Sequence, residues 1–235
     1  MKHSVWIGFD PREASAFAVA KHSILRRLIT PIPVHGIVLS EMRARGLYTR
    51  PTSVKDGRLC DVISAAPMAT EFAVSRFLVP HLAGSGWGLF MDCDMLVRTN
   101  LERLFKLCDP SKAVMVVKHH HNPPEGIKMD GQVQTRYARK NWSSVMAFNI
   151  DHPANRALTL ELINTVPGRD LHAFCWLDDS LIGELDASWN WLVGHSDPEI
   201  EPDIVHFTEG TPAMSGYENC AYAEEWRAEL ERWAA

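Results

Sequence analysis

The sequence predicts an α/β protein, a mainly parallel sheet flanked by helices and folded as a single domain. Three observations predict it. Short apolar runs ("SVWIGF", "PVHGIVL", "WGLFM", "AVMVV", "SSVMAFNI") alternate with stretches of helical period. Two strand ends, "IGFD" and "FMDCD", carry acids where sheets of this class bind ligands, beyond the C-terminal ends of their strands. The 235 residues are of ordinary composition and show no internal repeat, low-complexity tract or interdomain linker.

Each element follows in order. Val5 to Phe9 reads as a buried strand. "DPRE" then reads as a helix start, with Asp10 as N-cap, Pro11 at the first helical position and Glu13 closing a capping box. Phe17, Ala20, Ile24 and Leu28 form the apolar stripe of that helix. After the second strand, "PVHGIVL", the polar stretch from about Ser40 to Asp61 reads as loop with local helix. "MATEFAVSRFLVPHLA" reads as a helix ending near Pro80, and "WGLFM" as the strand that delivers Asp92 and Asp94. "NLERLFKL" is a helix capped by Asn100, and "HPANRALTLELINTV" a helix beginning near Pro153. At the C-terminal side, Tyr222, Trp226, Leu230 and Trp233 share a helical stripe. The opposite face is rich in glutamate, which anionic lipid repels, so this helix is expected to pack on the domain.

Composition excludes several functions. A net charge of -5 is opposite in sign to what phosphate backbones attract, so no nucleic-acid partner is expected. No run approaches the roughly 18 apolar residues of a membrane span. "MKHS" passes directly into "VWIGFD" without a signal-peptide layout, and the five cysteines lack CxxC spacing. The expectation is a cytoplasmic protein with reduced thiols and no zinc knuckle.

Asp92 and Asp94 carry the chemical signal. Alternate residues of an extended segment point the same way, so both carboxylates can face one point. There they repel each other and lose hydration unless a cation lies between them. Hard oxygen ligands favour Mn2+ or Mg2+. The competing reading is an acidic strand-to-helix turn.

Six segments, in order along nearly the whole chain, decide between these readings: "IGFDPRE", "FAVSRFLVP", "LFMDCDMLV", "KNWSSVMAFN", "WLDDSLIGELDASWNWL" and "IVHFTEGTP". Together they resemble the motifs of the bacterial family 8-like glycosyltransferases. The resemblance implies a GT-A type, Rossmann-like fold with a nucleotide-binding part over about 1–117 and an acceptor or catalytic part over about 118–235. It implies a hexosyltransferase-type enzyme that moves a sugar from a nucleotide-sugar, a UDP-sugar, to a saccharide or other hydroxyl acceptor with retention of configuration. It places a metal on Asp92, Asp94 and His206, and the donor near Asp10, Arg76, Ser143 and Gly210. Asp178 and Asp179 fall beside the reactive sugar carbon, as acceptor-orienting group, base or stabiliser of oxocarbenium charge. Asn190 is the expected polar contact to sugar, and Trp189 and Trp191 are either core or stacking residues.

Local readings compete with these roles. Asp10 is explained by its cap, Arg76 by a solvated helix surface, and Asp178 and Asp179 by a helix start near Ser180. Two positions also depart from the family pattern. Gly210 is followed by Thr-Pro-Ala-Met where the family has a diphosphate-binding lysine, and Asp179 stands where the family has glutamine. Donor choice and stereochemistry therefore stay open. The basic stretch from Lys118 to Lys140 can replace the missing charge, with Lys140 the best candidate. His119 to His121 are adjacent, and their side chains diverge too far for one metal. The alternatives are a haloacid-dehalogenase-like phosphatase, a nucleotide-sugar-forming nucleotidyltransferase, which lacks its Gly-rich loop here, and a non-catalytic sugar-binding module.

Overall fold

Burial on both faces makes the apolar runs strands of one sheet. The computed structural model describes residues 3–119, 126–127, 133–134, 139 and 141–235. The chain forms β1 (Ser4–Gly8), α1 (Ala14–Leu25), β2 (Val34–Ile37) and α2 (Leu39–Ala44), then β3 (Thr52–Lys55), β4 (Arg58–Asp61) and β5 (Ala66–Pro67). α3 (Val79–Leu82), β6 (Trp87–Met91), β7 (Met95–Val97), α4 (Glu102–Leu107) and β8 (Val114–Val117) follow. The two-residue strands β9 (Gly126–Ile127) and β10 (Val133–Gln134) pair with each other. Then come β11 (Val145–Asn149), α5 (Leu160–Thr165), α6 (Gly168–His172), β12 (Ile182–Leu185), β13 (Trp191–Leu192), β14 (Ile204–His206) and α7 (Ala223–Ala234).

The central sheet has the order β12-β8-β11-β6-β1-β2. β1 pairs in parallel with β2 and β6, and β12 with β8, while β11 runs antiparallel to both neighbours. The expected mainly parallel α/β sheet is present, with one reversed strand. Because β12 pairs with β8, the sheet crosses the division expected near residue 117 and makes one domain. Every residue of β6 and β8 is buried, which is why they read as continuous apolar runs. Ile7 lies opposite Met91, and Met91 opposite Val145. The chain therefore leaves β1 and β6, and enters β11, at one common edge.

Several local expectations are corrected. Asp10 does cap the turn after β1, accepting from the Arg12 N–H at 2.9 Å, but the turn Pro11–Glu13 is a 3-10 helix. Glu13 closes no capping box. Its carboxylate accepts from the Cys93 thiol at 3.1 Å and so faces the strand that follows β6. α1 ends at Leu25, so Leu28 lies beyond the helix, though it still packs against the same core as Phe17, Ala20 and Ile24. The polar stretch from Ser40 to Asp61 holds α2 and an antiparallel hairpin, β3–β4, extended by β5. Asp56 and Gly57 both have left-handed φ, 50° and 74°, as a type I′ turn requires. The Asp-Gly pair between two β-prone segments was the legible signal for it.

The helix expected up to Pro80 is instead a 3-10 turn, Ser75–Leu78, followed by α3, which holds Pro80 in its first turn, where a residue has no intrahelical N–H bond to lose. The helix expected from Pro153 is likewise split. A 3-10 turn ends at Ala157, and Thr159 caps α5 anew by accepting from the Leu162 N–H at 3.0 Å. Asn100 caps as expected, accepting from the Glu102 N–H at 3.0 Å.

α7 packs on α1, as its stripe predicted, through a second small core of Val19, Leu96, Trp191, Val205, Phe207 and Trp226. Trp233 departs from the stripe and is 55% exposed. One turn earlier, Glu229 is buried and accepts from Arg26 at 3.0 Å and lies 2.7 Å from His22. No helix among the described residues is long and apolar enough to cross a membrane.

Arg50 is fully buried beside Asp61 and donates to the carbonyls of Ile163 and Val166, each at 2.7 Å. It ties the hairpin to α5. Arg50→Met leaves the Asp61 carboxylate with only its Ser64 donors and no cation, and both carbonyls without this donor. It should lower the free energy of unfolding by about 3–5 kcal/mol in urea titration. A loss below about 1 kcal/mol would show that the tie is dispensable.

Candidate metal centre

At the common edge of β1, β6 and β11, the chain turns out of the core. Cys93 is fully buried, so its neighbours Asp92 and Asp94 point the other way, their side chains 15% and 21% exposed. The Asp92 N–H donates to the Ser144 carbonyl at 3.0 Å, which fixes the turn to the start of β11. β7 begins directly after Asp94 and pairs antiparallel with β14, Met95 opposite His206. The Phe207 N–H donates to the Asp94 carbonyl at 2.9 Å, extending the ladder to the acid itself. One ligand atom from each of Asp92, Asp94 and His206 lies within 4.8 Å of the others.

Asn190 sets the polarity of the histidine. Its Nδ2 donates to Ser144 Oγ at 2.8 Å and to the Asn141 carbonyl at 3.3 Å, and a carbonyl can only accept. The other end of the amide, Oδ1, is therefore the atom 2.9 Å from His206 Nδ1, so Nδ1 carries the proton. In the neutral ring Nε2 is then a bare lone pair, 3.5 Å from Asp94 Oδ1. A lone pair facing two carboxylates is repulsive until a cation or a proton joins them. Asp94 Oδ1 is buried with no hydrogen-bond partner among the described residues. Two carboxylates and an oriented imidazole fit a divalent metal such as Mn2+ or Mg2+.

The electrostatics follow from this crowding. Burial pushes Asp92 up to about 6, against the pull of Arg76 and with the help of Asp94. Burial, then Asp94, pushes Glu13 up to about 7. Burial and Glu13 raise the Cys93 thiol well above its usual range. Burial alone would lower His206, but Asp94 and Asp92 outweigh it and its pKa is raised.

The other expected residues divide into groups. Arg76 is no solvated surface residue: it is 6% exposed, with Nη1 2.9 Å from Asp92 Oδ1 and donating to the Ser143 carbonyl at 2.8 Å. Ser143 is buried, its hydroxyl 2.6 Å from His172 Nδ1. Asn190 lies fully buried behind His206 rather than on the cleft surface, and Trp189 and Trp191 are core. Asp10 is buried, and besides its cap it accepts from the Glu71 N–H at 3.0 Å. Gly210 is covered by Tyr217, whose ring would lie 2.5 Å from an added Cβ. Asp178 and Asp179 are exposed, and Asp179 pairs with Arg139 rather than joining the metal cluster. Asp178 occupies the cap position of the next turn without a side-chain bond. Lys140, His120 and His121 lie outside the described residues. Glu13, Ser144 and His172 were missed. Glu13 was masked by its fit to a helix-start pattern, and the other two carry no spacing signal.

No protein-family model matches the chain. Protein CDI of Arabidopsis thaliana is 41% identical over 235 residues, covering 97% of this chain and 86% of that protein. The chain belongs to the Protein CDI family. Solved structures with a fold similar to this CDI-family chain include glycosyltransferases. The bifunctional WbbM superposes with a TM-score of 0.64 at 15% identity over 97% of the chain, and GlyE of Streptococcus pneumoniae TIGR4 with 0.63 at 16% over 99%. The chain spans only 49% and 62% of those two proteins. The galactosyltransferase LgtC, in complex with donor and acceptor sugar analogues, gives 0.59 at 12% identity, covering 97% of this chain and 95% of LgtC. These likenesses establish the GT-A fold for the CDI-family chain.

Two outcomes follow. Asn190→Leu should weaken Mn2+ binding by roughly 10–100-fold in an EPR titration of free ion, since His206 loses its fixed tautomer. An unchanged affinity would remove Asn190 from the site. In the metal-free protein, Asp92, Glu13 and His206 all hold protons to higher pH than in the unfolded chain. Their contribution to stability is then lost as pH rises, for the two carboxyls through about 6 to 7. The Tm should fall between pH 5 and 7.5, and saturating Mn2+ should flatten the slope. A Tm that rises over this range would contradict the assignment.

Proposed function

We propose that this protein is a metal-dependent glycosyltransferase, similar to the family 8-like enzymes, that moves a sugar from a UDP-sugar to a hydroxyl acceptor with retention of configuration. The observation that carries the reading is the convergence of Asp92, Asp94 and the bare Nε2 of His206 on one point at the ligand-binding edge of a GT-A sheet. LgtC, with the same fold, was solved with donor and acceptor sugar analogues, which supports a sugar substrate here.

In this reading Asp92, Asp94 and His206 hold Mn2+ or Mg2+. The bound cation supplies Lewis-acid stabilisation of the charge that grows on a leaving diphosphate, worth several kcal/mol. Arg76 adds a fixed positive charge beside it, and Lys140 is the proposed replacement for the family's lysine. Asp10, Ser143 and Gly210 are assigned to the donor side. The buried Asp10 and the covered Gly210 act there by shaping the backbone. Asp178, exposed and without a side-chain bond, and Asp179, exposed and paired with Arg139, are assigned to the incoming acceptor hydroxyl as base or charge stabiliser. Asn190 contributes through His206. The part over about 1–117 binds nucleotide and the remainder binds acceptor. All five cysteines are free thiols, which supports a reducing, cytoplasmic setting. A phosphatase of the haloacid-dehalogenase type has no use for His206 at this point, and a sugar-binding module has none for the metal set.

Calorimetry of UDP with and without Mn2+ tests the proposal. UDP should bind only with Mn2+, and Asp92→Ala/Asp94→Ala should abolish binding while keeping a native circular-dichroism spectrum. If neither UDP nor any other nucleoside diphosphate binds with Mn2+, the transferase reading fails.

A further inference from the structure

Arg76 is built into the site as an immobile cation. Its guanidinium lies between two aromatic faces, 5.4 Å from the centroid of Phe72 and 4.9 Å from that of Phe90. Phe72 reaches this position because Gly8 has no side chain: an added Cβ would lie 2.3 Å from the ring. Nε donates to the Ala73 carbonyl at 3.1 Å, and Nη1 to that of Ser143 at 2.8 Å. Ser143 is itself held by His172, 2.6 Å from its hydroxyl, and the His172 ring packs edge-on against Phe77 at 5.2 Å. The same Nη1 is 2.9 Å from Asp92 Oδ1, and Nη2 has no partner among the described residues.

A side chain fixed on both faces and at two nitrogens cannot swing away when a divalent cation approaches Asp92. Like charges then oppose the metal. A nucleoside diphosphate changes the balance, because its oxygens accept charge-assisted bonds and the free Nη2 edge is a donor suited to them.

We infer that Arg76 is a fixed internal counter-ion of Asp92, one that disfavours bare divalent metal and couples metal binding to the arrival of a nucleoside diphosphate. The coupling is reciprocal: the diphosphate raises metal affinity by the factor by which metal raises diphosphate affinity. The site then avoids filling with metal alone. The nucleotide half of this inference rests on the proposed transferase reading, whereas the metal half does not.

The test is an EPR titration of Mn2+ into wild type, Arg76→Gln, Arg76→Met and Arg76→Lys, without nucleotide and then with UDP. Both uncharged variants should bind bare Mn2+ at least about fivefold more tightly than wild type, and the gain in Mn2+ affinity from UDP should shrink by a similar factor. Arg76→Lys, with its charge retained, should stay close to wild type. General damage to the site would weaken metal binding, the opposite sign. Unchanged or weaker bare-metal affinity in the uncharged variants, with native near-ultraviolet circular dichroism, overturns the inference. If neither uncharged variant folds, the Arg76 Nε–H resonance of the wild type decides. It should shift more with Mg2+ and UDP together than with Mg2+ alone, and an equal shift overturns the coupling. Failure of UDP to bind wild type at all removes the transferase reading and the nucleotide half, while the bare-metal titration still judges the counter-ion.

Discussion

The antiparallel ladder between β7 and β14 is the constraint on which the site depends. It has only three register pairs, Ile204 with Val97, Val205 with Leu96 and His206 with Met95, yet it brings residues from two distant parts of the chain to one point. A slip of one residue would send the His206 ring to the opposite face and Val205 into the site. The ladder is secured at both ends. Beyond His206 the Phe207 N–H reaches the Asp94 carbonyl, and beyond Val97 the Arg98 N–H reaches that of Asp203 at 2.9 Å. Arg98 also pairs with Glu201 and with Glu225 of α7, and its guanidinium lies 4.8 Å from the centroid of Tyr222. These exposed pairs are individually weak. Their value is geometric, because they hold the approach to β14 against the exit from β7.

Three groups of buried charge hold the rest of the scaffold together. Arg50 and Asp61 anchor the hairpin to α5, Glu229 anchors α7 to α1, and Arg76 anchors the turn before α3 to Asp92 and β11. Such groups add little net stability over well-packed apolar residues, because desolvation consumes most of the attraction. They do penalise every arrangement in which a partner is missing. In this fold each one joins segments that apolar packing alone would leave free to shift.

How far the sequence showed this depended on the range of the interaction. The strands of the central sheet were legible as apolar runs, and the Asp92–Asp94 pair by alternation, because both are properties of a few adjacent residues. Asn100 was legible as a cap for the same reason. The helix expected through Arg76 was not there. Phe72, Arg76 and Phe77 have a spacing that suits a helix, but the guanidinium needs the carbonyls of Ala73 and Ser143, and that demand bends the backbone into a 3-10 turn. Glu13 met a local rule and was spent elsewhere, on Cys93. Asn190 reads as a polar contact to sugar because nothing in "SWNW" shows that it faces a histidine across a second sheet. The hairpin at Asp56–Gly57 shows in the sequence only through its turn pair, because its flanking strands are short and largely polar.

The placement of the ligand groups along the chain has a consequence for biosynthesis. Asp92 and Asp94 leave the ribosome long before His206 and before Glu229 can dock α7 on α1. In the interval β7 is an unpaired edge beside two acids, a segment that can pair with the wrong strand. Arg76 has by then been made, sixteen residues earlier than Asp92. The nascent protein therefore holds a cation to neutralise one of its acids before the imidazole exists.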